Sequence, residues 1–357
     1  MRKILFIFYL MGVTNIVDAA NIYAGRNATG FYEVKIEGRI VKGDYDKAAL
    51  VSHEIISSSN YQQNYLRTGI RLNFNLNSKG GDVIEAMRIG KLVRRLLATA
   101  SVLGSIIRED DGYISNHKLQ HPENAFMWQD NLTLRINDEL TEEHLVKCYS
   151  SCVFIFFGAT SRIVRDNVDQ RDGYLDDRNA IPVMGIHRPY YEKDYFSSLD
   201  PMEAQEKYKD LFEVTRSYLI DMGASLSLVE RMFKKSSEEI ELIKAPMFKE
   251  YYSEKEAFYE EWLISKCGTS DAAQILSKRE FKLYQQIENL RRDEFMRCYQ
   301  KGEDYKAVYE NDYTPEGFDK EIINAIYSKY YAHSRNVANC HKRTIYEHQT
   351  QWANAYK

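Results

Sequence analysis

Ile70-Arg-Leu-Asn-Phe-Asn-Leu-Asn-Ser-Lys-Gly-Gly-Asp-Val83 is the stretch on which the fold turns. Its first seven residues alternate apolar and polar side chains, the period-two pattern of a strand with one face buried. Gly80 and Gly81 then let the backbone turn sharply and bring its N–H groups close to a bound group. From Asp82 to Ala98 the period changes, with Val83, Met87, Gly90, Val93 and Leu97 at helical spacing. A strand leading through a glycine turn into an amphipathic helix is half of a β-α-β unit.

The flanking sequence extends the unit. Phe31 to Ile40 places Tyr32, Val34, Ile36 and Ile40 on one face with charged residues opposite, which reads as a half-buried strand ending near Gly43-Asp44. Tyr45 to Ser57 reads as a helix, with Ala48, Val51 and Ile55 on one face, and Ala100 to Ile107 as a strand. This β-α-β-α-β order predicts an α/β domain with a parallel sheet and crossover helices. Residues 108–145 interrupt it as an insertion, with a hairpin expected around Ala125 to Ile136. Ile181 to Ile186 is a short buried strand running into His187-Arg188-Pro189. Asp200 to Met222 and Leu226 to Lys235 are helices. After about Pro246 the chain turns charged, tyrosine-rich and helical. The expected organisation is a leader over 1–19, an α/β domain over 20–245 and a helical module over 246–357; the 27 tyrosines are spread widely along the chain and are expected to pack helices rather than bind sugar.

Composition removes several function classes. A chain that is 44% hydrophobic and 28% charged can bury a core, which excludes disorder. With 48 Lys+Arg against 52 Asp+Glu, it has no basic excess with which to hold nucleic acid. Met1-Arg2-Lys3, an apolar run from Ile4 to Val13, and the small residues around Ala19-Ala20 have the layout of a signal peptide. The run is too short for a spanning helix, which takes about twenty residues. The expectation is a protein soluble after leader removal, periplasmic or secreted. Asn27-Ala-Thr29 and Asn131-Leu-Thr133 match the glycosylation sequon, which matters only in a eukaryotic secretory pathway.

In an oxidising compartment the five cysteines are expected to pair where geometry allows. Cys148 and Cys152, four residues apart, should approach across one helical turn. Cys267, Cys298 and Cys340 should give one bridge tying the helical module and one thiol left over. The spacing fits no zinc pattern. His117 with His121, and Cys340-His341 with His348, are weaker metal candidates, and no metal or cofactor is called for.

Two further segments carry candidate chemistry. Cys148-Tyr-Ser150-Ser151-Cys152 precedes the apolar Val153 to Phe157. A serine there can be exposed beside N–H groups able to hold a developing oxyanion, or can serve as a helix cap. His187 leaves a buried strand at its carboxyl end, where it can be structural or the general base for a nearby serine.

Taken together, the three segments resemble the ClpP/crotonase superfamily. Asn77-Ser78-Lys79-Gly80-Gly81 is similar to the family's Asn-Ser-Pro-Gly-Gly oxyanion turn, with Lys79 in place of proline. Ser150, followed by a helix and then Gly158-Ala159, resembles the family's nucleophile. Ile186-His187-Arg188-Pro189 resembles the Ile-His-Gln-Pro segment of the ClpP histidine. Glu37-Gly38-Arg39-Ile40 resembles the family's opening strand. Closer still is an uncharacterised exported ClpP-like family with a leader, a Cys-x-Ser-x-Cys segment and a cysteine-bearing helical C-terminus. The resemblance covers residues 30–245 and implies stacked β-α units, Ser150 as nucleophile and His187 as base. It also implies backbone N–H groups of Gly81 and Ser151 as oxyanion hole, Gly80 shaping the turn, and a homo-oligomer. Ser150 is preferred to Ser151 as the central residue of Cys-x-Ser-x-Cys.

One residue departs from the pattern. Gly223-Ala-Ser-Leu-Ser-Leu-Val-Glu-Arg231 matches the ClpP helix segment that precedes the triad acid, but Met232 stands where Asp is expected. Asp166, Asp169, Asp172, Asp176 and Asp177 are substitutes to consider. The implied function is an exported serine peptidase acting on peptide or protein. The alternative is an inactive ClpP-like scaffold or binding protein of the cell envelope. A crotonase-type acyl-thioester enzyme ranks last, because an exported protein would not normally meet coenzyme A thioesters.

Overall fold

The computed structural model describes residues 19–26, 31–104, 106–108, 113–116, 132–135, 145–170, 180–191, 193–301, 308 and 314–356. The leader up to residue 18, both sequons at Asn27 and Asn131, the pair His117 and His121, and most of the insertion lie outside them. The chain divides into two compact units. The first comprises Met1–Ile55 and Arg71–Glu254, and the second Ile56–Ile70 and Lys255–Lys357.

In chain order the elements begin with β1 (Asn21–Arg26), β2 (Tyr32–Glu37), α1 (Asp44–Ser57), α2 (Ser59–Thr68), β3 (Asn73–Asn77), α3 (Val83–Arg95) and β4 (Thr99–Leu103). Next come β5 (Ile106–Arg108), β6 (Tyr113–Asn116), β7 (Leu132–Arg135), β8 (Cys148–Tyr149), α4 (Cys152–Gly158), β9 (Ser161–Arg165) and β10 (Val168–Gln170). Then follow β11 (Met184–Ile186), α5 (Lys193–Ser197), α6 (Pro201–Asp221), α7 (Leu226–Lys234), β12 (Glu241–Ile243) and α8 (Ala245–Phe248). Helices α9 (Ala257–Cys267), α10 (Ala272–Ile275), α11 (Lys278–Lys301) and α12 (Lys320–Ala355) complete the series.

The first unit is a mixed α/β fold. Its main sheet has the order β1-β2-β3-β4-β9, with β2, β3, β4 and β9 parallel and β1 antiparallel on β2. A three-stranded sheet, β12-β11-β8, pairs β8 parallel to β11 and β12 antiparallel to it. A four-stranded sheet has the order β10-β5-β6-β7. In it β5 and β6 are antiparallel, as are β6 and β7, where Tyr113–Asn116 pairs with Leu132–Arg135; the other residues of the hairpin expected around Ala125 to Ile136 lie outside the described residues.

Strand β3 follows its alternation: Phe74 and Leu76 are buried, and the asparagines between them are half-buried. Strand β2 is not half-buried as its pattern suggests. Glu33 is 1% and Lys35 3% exposed, like Val34 and Ile36 on the opposite face. The charged face tolerates burial because Glu33 accepts hydrogen bonds from Asn73 Nδ2 at 2.9 Å and Asn75 Nδ2 at 3.1 Å, both on the neighbouring strand. Burial also holds the Lys35 ammonium below its usual range.

Helix α4 is apolar on every side, and all seven of its residues are buried. It lies close against α3: a Cβ on Gly158 would come within 2.2 Å of Gly90 O. Two arginines gather the carbonyls at its carboxyl end. Arg162 Nη2 donates to Phe157 O at 2.7 Å and Met222 O at 2.5 Å, while Arg94 Nε donates to Gly158 O at 2.8 Å. Cations are favourable there because the last carbonyls of a helix have no intrahelical donor. Phe156 and Phe157 pack edge-on or tilted against Phe248 and Tyr252. Burying rings of this size stabilises by about 1.5–3 kcal/mol each. The segment after Ser150 is thereby fixed along its length.

The second unit is helical. Tyr61 of α2 donates to Gln349 Oε1 of α12 at 2.8 Å in the interior, and Tyr65 stacks on Tyr346. Cys267, ending α9, is disulfide-bonded to Cys340 in α12. Cys298 is the free, buried thiol. Tyr284, Tyr327 and Tyr330 pack α11 against α12. Among the described residues no helix is long and apolar enough to cross a membrane.

Candidate active site

Three segments converge where parallel strands end, the place at which open α/β sheets form clefts. Strand β3 ends in Asn77, and Ser78-Lys79-Gly80-Gly81 leads to α3, which Asp82 caps by accepting from Glu85 N–H at 2.9 Å. Strand β8 ends in Tyr149 and turns through Ser150 and Ser151 into α4. Strand β11 ends in Ile186, and His187 follows.

Backbone bonds stitch these ends together. Ser78 N–H donates to Lys147 O at 2.6 Å, and Tyr149 N–H to Ser78 O at 2.9 Å. Ser150 N–H donates to Gly185 O at 2.9 Å, so the serine is hung from the strand that delivers His187. Gly80 and Gly81 have φ of +100° and +142°, and a Cβ on Gly81 would lie 2.0 Å from Ile40 O. Only glycine fits there. Gly80, Gly81, Ser150, Ser151 and His187 all line one cleft of about 1730 Å³.

The Ser150 backbone is strained. Its φ is +56°, and Leu97 is the other described non-glycine residue with positive φ. A side-chain-bearing residue held there costs about 1–3 kcal/mol and persists only where its surroundings enforce it. Enforcement comes from the backbone bonds that Tyr149 and Ser150 donate to Ser78 O and Gly185 O, and from a disulfide joining Cys148 to Cys152 with Cα atoms 5.2 Å apart. The bridge does not run across one helical turn, as spacing suggested. Cys148 ends up on β8 and Cys152 opens α4, because the left-handed Ser150 stops the helix before it can include Cys148. Ser151 precedes α4, yet its hydroxyl caps no N–H and is buried without a partner.

Two backbone donors at the cleft have no acceptor among the described residues. The Ile40–Gly81 bridge uses Ile40 N–H to Gly80 O at 2.9 Å and Asp82 N–H to Ile40 O at 2.9 Å, leaving Gly81 N–H unused. The first bonds of α4's entry run from Val153 and Phe154, and Ser151 N–H is likewise unused.

His187 is 6% exposed, and its ring packs against Tyr190 at 5.7 Å. Its Nδ1 is 2.8 Å from Arg188 O. A carbonyl only accepts, so Nδ1 carries the proton, and in the neutral ring Nε2 carries the lone pair. Neither Ser150 Oγ nor His187 Nε2 makes a hydrogen bond among the described residues. Met232 is fully buried in α7 and does not line the cleft. Asp166 is engaged elsewhere: its carboxylate accepts from Val183 N–H at 3.2 Å and Ala245 N–H at 2.7 Å. The Asp169 side chain, Asp172, Asp176 and Asp177 lie outside the described residues.

Residue types alone did not single out the cleft's other walls. Arg39, Lys42, Lys79, Arg188, Asp82 and Glu238 also line it, as do the aromatic residues Tyr190, Phe196 and Tyr208. These residues come from separate segments of the chain, so no spacing in the sequence connects them. Cys340 is committed to its disulfide, and no group of three His, Cys, Asp or Glu able to hold a metal occurs among the described residues.

No family model matches the chain, and no curated protein matches it. Among solved structures, one match is a serine-to-alanine mutant of the 1510-N membrane-bound stomatin-specific protease, at 11% identity over 66% of this chain and 83% of that chain, with a TM-score of 0.30. An alignment at that score fixes neither fold detail nor activity.

Proposed function

We propose that this chain is an exported serine peptidase of ClpP-like architecture, in which Ser150 attacks the scissile carbonyl and His187 takes its proton. The observation that carries the reading is the pair of unused N–H groups, Gly81 and Ser151, beside a serine held at positive φ. Donors left without an acceptor at a cleft are preorganised for a charge that develops during reaction. Removing one such donor typically costs about 10²–10³ in rate. The His187 tautomer suits the same role: the proton on Nδ1 leaves Nε2 free to accept from a hydroxyl. Arg188 O thus does part of what a triad acid does, fixing the ring without supplying negative charge for the imidazolium. The rate is correspondingly low, since losing the acid's charge costs orders of magnitude. The two disulfides fit an oxidising compartment, which supports export.

A catalytically inactive ClpP-like scaffold of the cell envelope is the second reading. It is favoured by the missing hydrogen bond between Ser150 and His187 and by Met232 in the expected acid position. A fluorophosphonate probe separates the two. Labelling of Ser150, mapped by peptide mass and lost in both Ser150→Ala and His187→Ala, supports the peptidase. No labelling between about pH 6 and 9 supports the scaffold.

A further inference from the structure

We propose that the Cys148–Cys152 disulfide is a positioning device for Ser150, so that the serine is reactive only in the oxidised protein; this rests on the serine-nucleophile reading. The bridge joins the residues two before and two after Ser150, closing a five-residue ring around the left-handed turn. On the strand side, Cys148 N–H is held by Val183 O at 2.7 Å and Tyr149 N–H by Ser78 O at 2.9 Å. On the helix side no side chain performs a cap, since the Ser151 hydroxyl bonds to nothing. The bridge takes the place of that cap. It ties the first residue of α4 to the anchored strand and so restrains the intervening backbone in its left-handed turn.

Without it, the turn has a lower-energy alternative. Ser151 already has φ of −62°, so a negative φ at Ser150 alone would extend α4 backwards, because serine prefers that region to a left-handed one. That change would rotate Ser150 Oγ away from Gly80 and re-aim Ser151 N–H, so that nucleophile and donor no longer face the same point. Both cysteines are fully buried, so the bridge sits beneath the cleft rather than in it. It shapes the site without touching substrate. Its formation replaces two S–H bonds by one S–S bond. The two electrons and two protons pass to a disulfide-bearing oxidant, which leaves as a dithiol.

The consequence is a protein that stays silent among reducing thiols and acquires a reactive serine on oxidation. The test measures fluorophosphonate inactivation kinetics on the full-length oxidised protein and on the Cys148→Ala/Cys152→Ala variant, with near-UV circular dichroism on both. We expect the maximal inactivation rate to fall at least tenfold while the probe's half-saturating concentration and the aromatic fine structure of the near-UV spectrum stay unchanged. Rates within twofold of one another overturn the proposal while leaving the nucleophile reading intact. Loss of the aromatic near-UV fine structure in the variant makes the bridge a fold staple and also overturns it. The Cys267→Ser/Cys340→Ser variant, in which Cys148–Cys152 is the remaining bridge, reduced in place by a phosphine, which takes oxygen from water as the two thiols form, provides the same comparison with both residues of the bridge retained. Reoxidation should then restore the rate. Failure of the oxidised wild type to label at all sinks the nucleophile reading, and this proposal with it.

Discussion

Gly80 lies so close to Ser150 that a Cβ placed on it would stand 3.0 Å from the serine Oγ and 2.6 Å from the serine Cβ. The glycine turn after β3 is therefore one wall of the serine's own space. The Gly80 φ of +100° is also a conformation that side-chain-bearing residues rarely adopt. Gly80→Ala should cost about 1–3 kcal/mol from backbone strain and should push Ser150 off its position. Chemical denaturation reads the first effect and the fluorophosphonate labelling rate of the folded protein reads the second. A labelling rate equal to wild type would mean that the contact is irrelevant to reactivity.

Glu241 sets the edge of the strand that delivers the histidine. It lies opposite Ile186 in the antiparallel pair of β12 with β11, and it accepts from Arg231 Nε at 2.9 Å and Nη2 at 2.5 Å. The hydrogen bonds from Arg231, aided by the charges of Arg231 and Lys235, hold its carboxyl below the usual range. A depressed carboxylate stabilises the fold above its unfolded pKa of about 4.3, and that contribution disappears as pH falls through the folded value. Because the pair is partly solvated, its worth is roughly 0.2–1 kcal/mol. Glu241→Gln should be less stable than wild type by that amount at pH 7, and the difference should vanish as pH falls from about 5 to 3. Urea midpoints of both proteins across this range test it, and parallel curves would contradict it.

The second unit depends on a different bridge. Cys267 and Cys340 are 73 residues apart, so their disulfide removes a long loop's worth of freedom from the unfolded chain. Cys267→Ser with Cys340→Ser should destabilise by about 2–4 kcal/mol, lowering the melting temperature of the helical unit. Non-reducing peptide mapping of wild type should show Cys298 as its sole free thiol. Finding Cys298 bridged to either partner would contradict both statements.

What residue types revealed, and what they hid, follows one line. Alternation at Ile70 to Leu76 was readable because Phe74 and Leu76 enter the core while their neighbours do not. The helix over Pro201–Asp221 was readable for a similar reason, since Asp200, Pro201 and Glu203 form a capping box with proline at the first turn. Strand β1 was missed, because Asn21 to Arg26 contains Gly25 and no alternation, and it gains its place by pairing with β2. Helix α2 escaped too: its apolar face comes from Tyr61 and Tyr65 amid polar residues. In the candidate site, the serine, histidine and glycines stood out through their order. The strain at Ser150 and the partner of His187 did not. Both are backbone properties, since every residue has a carbonyl and a φ angle, and tertiary contacts alone decide which are used.

Met232 is where the comparison with ClpP would place an acid, and restoring one there is the obvious repair. The structure argues that the repair fails. Met232 is fully buried, lies on α7 and is absent from the walls of the cleft. A carboxylate introduced there would be desolvated without a designed partner, and its pKa would rise until it folded in the neutral form. The His187 Nδ1 proton is already given to Arg188 O, so a new acceptor must first displace that bond. Met232→Asp should therefore cost about 3–5 kcal/mol as a buried polar replacement, with a larger loss at pH 8 than at pH 5 because the ionised form is the costlier to bury. The labelling rate of Ser150 in the folded fraction should not increase. A variant that keeps wild-type stability and labels tenfold faster would show that the side chain at 232 reaches the histidine after all, and that a full triad is one substitution away.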